Sequence, residues 1–351
     1  MQIYKKYIAW IYIKTFFIVF IALELFFVGV ELLTSLENVP KSANLALLYM
    51  LFSAGTAIKY LLPLSIVLSS IITLAHFIRN NELVSFFSLG FSKNTIIKPI
   101  FALSVGIIVI YIILQSTPLA YTSDFQKSIA NKDPYNFKPI FIKDQDTMVY
   151  FGAFMKEESK SFMVSIFEFE NGALKRQVGG FEALFDGKMW NLPNAFFVSL
   201  PDNIELGGKG FEIGILKDYK FLEGFKPQVV YNLQDSRSEY SVSDAIDSMS
   251  MLNSQALNTT QIRTSLYFTI FFPFFAPFMS LILYYYMPTI SRFSSFAITS
   301  FLCILATLCI WGVLFVLSRF AQNAVIAPEL AIIAPIIILG AFGAYKYRLA
   351  R

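Results

Sequence analysis

Few side chains in this sequence are of a kind that does covalent chemistry, and their spacing excludes most of it. There is one histidine, His76, which rules out a multi-histidine metal centre. Cys303 and Cys309 are six apart in one apolar run. That spacing does not make them neighbours on a helix, so they read as packing residues. The chain has no G-x-x-x-x-G-K-[ST] phosphate loop, no H-E-x-x-H pair and no G-x-S-x-G elbow. What remains are charges in unusual places. Glu24 and Glu31 interrupt an apolar run, where a carboxylate is costly and is usually functional or paired. Lys41, Lys59, Arg263 and Arg319 fall at or near the ends of apolar runs. There they either snorkel to water or attract an anionic group such as a phosphate. Glu82 is the one acid of the segment from Arg79 to Ser92. With no engine of its own, such a chain moves something passively, couples to an ion gradient, or borrows an engine.

The elements that must position these charges follow from hydropathy. The chain is 56% hydrophobic and only 15% charged, against about 45–50% and about 25% in a soluble domain, so the excess needs a lipid solvent. A bilayer core takes about 20 apolar residues as a helix. Six runs qualify: Ile8 to Leu33, Ile58 to Phe77, Ile100 to Leu119, Leu266 to Met287, Phe296 to Leu317 and Leu330 to Tyr345. The first is too long for a secretory leader and no small-residue cleavage site follows it, so no cleavable signal is expected. Pro63, Pro273 and Pro277 lie inside runs and predict kinks.

Lys and Arg near the run ends give the orientation. With the N-terminus inside, the inner flanks hold Lys5, Lys6, Lys14, Arg79, Lys93, Lys98, Arg292, Lys346, Arg348 and Arg351 against Glu82. Both termini are therefore expected in the cytoplasm, with the long segment between the third and fourth runs outside. That segment, Ala120 to Ile262, carries 14 basic and 19 acidic residues, so the basic excess lies on the membrane part and gives no reason to expect nucleic acid.

The outer segment reads as strands. Phe162 to Phe169 and Ala173 to Val178 flank Asn171-Gly172, and Phe181 to Phe185 and Lys188 to Leu192 flank Asp186-Gly187. Both dipeptides suit type I′ hairpin turns. Phe181, Ala183 and Phe185 alternate with Glu182, Leu184 and Asp186, as in a half-buried strand, whereas Phe196, Phe197 and Val198 are apolar on both faces. A sandwich, jelly roll or open barrel fits. Ser241 and Asp244 predict a helix cap, with Ile246, Met249 and Leu252 on one face behind it.

Between the second and third runs, Asn80 or Asn81 can cap a short helix that Gly90 ends, with Glu82 in its positive first turn. Leu83, Phe86 and Phe87 make one greasy face. Such a helix either enters a groove of a cytoplasmic ATPase or lies on the lipid headgroups.

The layout resembles the LptF/LptG (YjgP/YjgQ) family of lipopolysaccharide export permeases. The resemblance is carried by Leu61-Leu62-Pro63-Leu64, by Asn81-Glu82-Leu83-Val84 with Leu89-Gly90-Phe91-Ser92, and by Asp146 to Tyr150 with Phe162 to Phe167. Ile262-Arg263 running into Pro273 adds to it. It implies an integral membrane α-helical protein of the bacterial inner membrane, with six transmembrane helices and a central periplasmic all-β, jelly-roll-like domain. Residues 1–119 would hold three helices with a coupling helix at about 80–90, 120–240 the β-domain, 241–262 a connecting helix and 263–351 three more helices. The family implies a permease that is not itself an enzyme and carries no cofactor. ATP and Mg would be bound by a cytoplasmic ABC ATPase dimer. The other implied partners are a paralogous second permease, a single-span LptC-like protein, an LptA-like bridge and lipopolysaccharide. Glu82 would meet a basic residue of the ATPase groove, with Leu83, Phe86 and Phe87 filling it. The first and fifth helices would line a lateral gate. Likeness around Leu252 to Pro273 leans toward the G-type subunit. A different class, a structural or sensory membrane protein whose β-domain binds a partner, is the alternative.

Overall fold

The computed structural model describes residues 3–130, 139–144, 146–155, 159–170, 172–201, 210–223, 225, 227, 240–254, 259–289 and 296–349. The chain divides into two compact units, one of Met1–Ala130, Tyr240–Ile246 and Thr259–Arg351, the other of Asn131–Glu239 and Asp247–Asn258. Arg292, Arg351, Asn171 and the side chain of Leu252 lie outside the described residues.

The first unit is helical. It contains α1 (Ile3–Thr34), α2 (Ala43–Arg79), α3 (Glu82–Ser88), α4 (Lys93–Gln115) and α5 (Thr122–Ala130). After the second unit come α6 (Val242–Ser254), which bridges the division, α7 (Thr260–Ile270), α8 (Phe275–Tyr286), α9 (Phe296–Gln322) and α10 (Ala334–Leu349). Among the described residues, six helical stretches are long and apolar enough to cross a membrane, with α7 and α8 together making the fourth and Glu329–Leu349 the sixth. The second helix starts 15 residues before the predicted run, because Ala43 to Ala57 extends it along α5. Gly55 permits the approach: a Cβ there would lie 2.6 Å from Thr122 Cγ2. The third ends at Gln115, short of Leu119, because Pro118 holds Thr117 in extended backbone at φ −100°. The kink expected in the fourth is a break: one 3₁₀ turn, Phe272–Phe274, carries Pro273, and Pro277 sits in the first turn of α8. Pro63 leaves α2 continuous.

Burial sets the layering. The most apolar windows of α2 and the fourth stretch are each 72% buried, against 6% for α1 and 17% for α9. The interior is therefore built on α2 and α8, and α1 touches it along one stripe at four-residue spacing, Ile8, Tyr12, Phe16 and Glu24, with Phe20 partly buried between. Polar groups tie the helices inside this apolar mass. The Tyr12 and Ser104 hydroxyls share a 2.8 Å bond. Asn94 donates to the Tyr347 carbonyl at 3.0 Å and accepts from the Tyr285 hydroxyl at 2.5 Å. At α6, Ser241 Oγ accepts the Asp244 N–H at 3.1 Å, which is the expected cap. The expected apolar face is rotated, however, because the Asp244 carboxylate takes the Tyr121 hydroxyl, burying Ala245 and exposing Ile246.

The second unit is a six-stranded antiparallel sheet: β1 Ile140–Asp144, β2 Thr147–Met155, β3 Lys160–Glu170, β4 Ala173–Phe185, β5 Trp190–Ser199 and β6 Glu212–Phe221. Each strand pairs with its neighbour in sequence, so the described sheet is an up-and-down meander; a jelly roll's crossover is not among the described strands. Gly172 takes φ +79° at the first predicted hairpin. The second is not a two-residue turn. Asp186 Oδ1 accepts the Lys188 and Met189 N–H groups at 3.0 and 2.8 Å, so β5 begins only at Trp190. These two bonds, Met189 first, hold the Asp186 carboxyl below its usual range.

Pro193 stands in the interior strand β5, where the ladder to β4 is interrupted between the pairs Leu184↔Asn191 and Gly179↔Phe196. The inward side chains change parity there, from the buried Trp190 and Leu192 to the buried Ala195 and the partly buried Phe197, so Phe196 is turned outward. Its ring covers Gly179, the residue opposite it. Phe181, predicted to share the inner face with Ala183, is 74% exposed and rests against Phe162. The core gathers Phe151, Val164, Ile166, Val178 and Leu192 around Trp190, whose Nε1 donates to the Phe225 carbonyl at 2.8 Å.

Glu168 accepts from Arg176 at 2.8 and 2.9 Å and from the Tyr219 hydroxyl at 2.5 Å. Burial pushes the Glu168 carboxyl up, but those donors outweigh it and leave it below the usual range. Burial, then Glu168, pushes the Tyr219 hydroxyl up to about 12.

Two outcomes follow for the sheet. Trp190→Ala should cost about 3–5 kcal/mol, the range for a buried large aromatic, read as earlier loss of strand circular dichroism in denaturant. A depressed folded carboxyl contributes stability that is present above its unfolded value and lost as pH falls through its folded one. Acid titration of the melting temperature should therefore show a fall below about pH 4.5 that Glu168→Gln flattens; an unchanged slope would remove Glu168 as its source.

Candidate functional site

The segment with the single acid folds as a short, tightly terminated helix. Asn81 takes φ +55° and lets the chain turn from α2 into α3, without the side-chain cap expected of it. At the other end Gly90 takes φ +83°, its N–H bonds to the Phe87 carbonyl at 2.9 Å, and the Phe91 N–H to the Phe86 carbonyl at 3.1 Å. This is a Schellman termination, completed by the ring contact of Phe86 with Phe91. Phe91 packs on Tyr4, and Phe86 on Phe77, so the start of α1 and the end of α2 hold α3 in place.

The greasy face is consequently spent inside the chain. Leu83 is 3% exposed, and Phe86 and Phe87 are partly buried against the helical core. Leu83 thus faces its own bundle, where burial removes more apolar surface from water than leaving it displayed. Within α3 the exposed residues are Val84, Ser85 and Ser88, and Asn81, Leu89 and Gly90 are exposed at its ends. Glu82 is half-buried. It accepts from the Tyr7 hydroxyl at 3.0 Å and from Asn80 Nδ2 at 3.4 Å, and His76 Nε2 lies 3.5 Å away. His76 and Asn80 have a sequence signal, lying six and two residues before the acid. Tyr7, 75 residues away, has none.

The four cations near run ends part company. Lys59 Nζ lies 5.5 Å from the Phe268 ring centroid, and the Arg319 guanidinium 4.9 Å from that of Phe315. Tyr60 contacts both rings at 5.8 Å, so α2, α7 and α9 meet in one aromatic girdle carrying two cations on its faces. Arg319 also donates to Gln322 at 2.9 Å. Arg263, one turn before Tyr267 and Phe268, is ion-paired: its Nη1 meets Glu329 Oε1 at 3.0 Å. Sequence reasoning missed Glu329, whose only signal was an acid following Pro328 at the head of an apolar run. Lys41 is exposed in the loop before α2.

The two acids of α1 also differ. Glu31 accepts the Ser35 hydroxyl at 3.2 Å, a local contact at the helix end. Glu24 is 9% exposed, and neither carboxylate oxygen has a hydrogen-bond partner among the described residues. Among those residues no group of three or more His, Cys, Asp or Glu is placed to hold a metal ion.

The arrangement is one suited to recognition: cations at the rim of an apolar bundle, and a rigid short helix at a turn between two long ones. A search of curated proteins found no match. A family model described as lipopolysaccharide export system permease LptF/LptG matches residues 6–349, and it does not separate the F-type from the G-type subunit. With nearly the whole chain matched and six helices able to span a bilayer, this protein belongs to the LptF/LptG family of inner-membrane, multi-pass permeases.

Proposed function

We propose that this permease pairs with a paralogous second permease on a cytoplasmic ABC ATPase dimer, lifts lipopolysaccharide out of the inner membrane, and passes it to a periplasmic bridge through its β-domain. The family match across residues 6–349 carries the reading. The count of Lys and Arg at the run ends supports cytoplasmic termini, and with them a cytoplasmic α3 and a periplasmic sheet. ATP and Mg belong to the partner in this scheme, and the chain supplies a path and a lever.

The lever is α3. Its Schellman end, its aromatic anchors and its position directly between α2 and α4 suit a rigid element that transmits a push into two long helices. Glu82 is assigned to meet a basic residue of the ATPase, exchanging the Tyr7 hydroxyl for it. Since Leu83 lies inside, Val84, Ser85, Ser88 and Leu89 are assigned to the contact beside Glu82, with Phe86 and Phe87 as its backing. The path is lined at one end by the girdle of Lys59 and Arg319, which suits lipid A phosphates above acyl chains. The lightly buried α1 and α9 suit the two sides of a lateral gate.

Glu82→Lys should lower ATP-driven lipopolysaccharide release by about tenfold or more, the scale of one reversed charge-assisted contact, with the permease still inserted. Unchanged release would remove Glu82 from the contact. Leu83→Asp should lower the melting temperature of the permease itself. Leu89→Asp should leave it unchanged and reduce co-purification with the ATPase; a lone, stable permease in the wild-type preparation would instead favour a non-transporting membrane protein.

A further inference from the structure

We infer that Glu329 is a latch that occupies Arg263 until a phosphoryl group of the transported lipid displaces it. This rests on the reading of the chain as a lipopolysaccharide permease. Three observations carry it. Arg263 Nη1 bonds Glu329 Oε1 at 3.0 Å, and the two side chains are 35% and 43% exposed, at the edge of the bundle rather than in its core. Arg263 uses only part of its donor fork there, because its Nε is buried and has no hydrogen-bond partner among the described residues. Glu329 opens a π-helical turn, Glu329–Ile333, that packs on both α7 and α9.

The chemistry of the pair sets its behaviour. A guanidinium is always charged and binds phosphate through two parallel N–H bonds, whereas this carboxylate engages one nitrogen. A phosphate that takes Nε and a terminal nitrogen satisfies the orphan donor that Glu329 leaves. It also evicts a like-charged carboxylate, since the two anions cannot share the site without repulsion. Single π-turns inside helices are rare and concentrate at functional sites. This one places the latch at the junction of the fourth, fifth and sixth spans, so releasing Glu329 frees the start of the sixth span from α7. Ligand binding and that release are then one linked equilibrium.

The test is binding of labelled bis-phosphorylated lipopolysaccharide to the full-length permease in nanodiscs, with dephosphorylated lipopolysaccharide and inorganic phosphate as parallel probes. Glu329→Gln should tighten binding of the phosphorylated lipid about two- to fivefold, the fold-change of a half-exposed ion pair, without tightening the other two. The double variant Arg263→Gln with Glu329→Gln should lose that gain. Equal or weaker binding by Glu329→Gln overturns the latch, as does a gain seen with inorganic phosphate alone. The melting temperature of each variant guards against misfolding, and Glu329→Asp, which keeps the charge, should bind like the parent. If Arg263→Gln alone leaves lipid binding unchanged, the rim reading fails; if it weakens binding while Glu329→Gln does nothing, only the latch fails.

Discussion

A charge kept among apolar helices has to be answered by another polar group or be neutralised, and that constraint organises the helical unit. Leaving a carboxylate or guanidinium desolvated and unpaired costs several kcal/mol or more, which is why such groups are few and why most find a partner. Arg263 is answered by Glu329, Glu82 by Tyr7 and Asn80, and Lys59 and Arg319 by ring faces. Each answer comes from a different helix or turn, except the ring below Arg319, so each also fastens one element to another. Glu24 differs from these, with no hydrogen-bond partner for either oxygen among the described residues.

The same economy governs α3. A seven-residue helix is too short to be stable by itself. It persists because a positive-φ residue at each boundary fixes the turns and because Leu83, Phe86 and Phe87 are packed inward. The outer face of the helix is left to Val84, Ser85 and Ser88, and rigidity is what the inward greasy residues supply. Tyr4, Tyr7, Phe77, Phe86 and Phe91 form a continuous set of ring contacts at this end, joining α1, α2 and α3 so that they respond together to a load on any one of them.

The sheet obeys a different constraint, that of register. The β4–β5 ladder is interrupted around Pro193, yet its register is the same on both sides. The inward-facing side chains change parity there, as they do in β3 at Met163 and in β6 at Asp218, both at positive φ. One row of the outer face runs Phe141, Tyr150, Ser165, Gly179, Phe196 and Ile215 across all six strands. The sheet is thereby apolar on both sides along this row. An antiparallel sheet usually turns a polar face to water.

The sequence alone determined the membrane class, the number of long apolar helices, the central run of strands and the family resemblance, because each depends on composition and period summed over many residues. It also determined where α3 ends, since Gly90 supplies a backbone conformation that other residues resist. The interruption at Pro273 is legible for a similar local reason, as a kink that the structure makes a break, whereas the third run was read through Pro118 to Leu119 and ends at Gln115. Only the tertiary structure decided which face of α3 is inside, that Arg263 is already paired, and that Tyr7 reaches Glu82. Those contacts join residues 66 and 75 positions apart. The rotation of α6 was hidden likewise, because it is set by Tyr121 pulling on Asp244 rather than by the apolar pattern of the helix. Local rules reach about one helical turn, and the partner of a charge in an apolar bundle is whichever polar group packing brings alongside it.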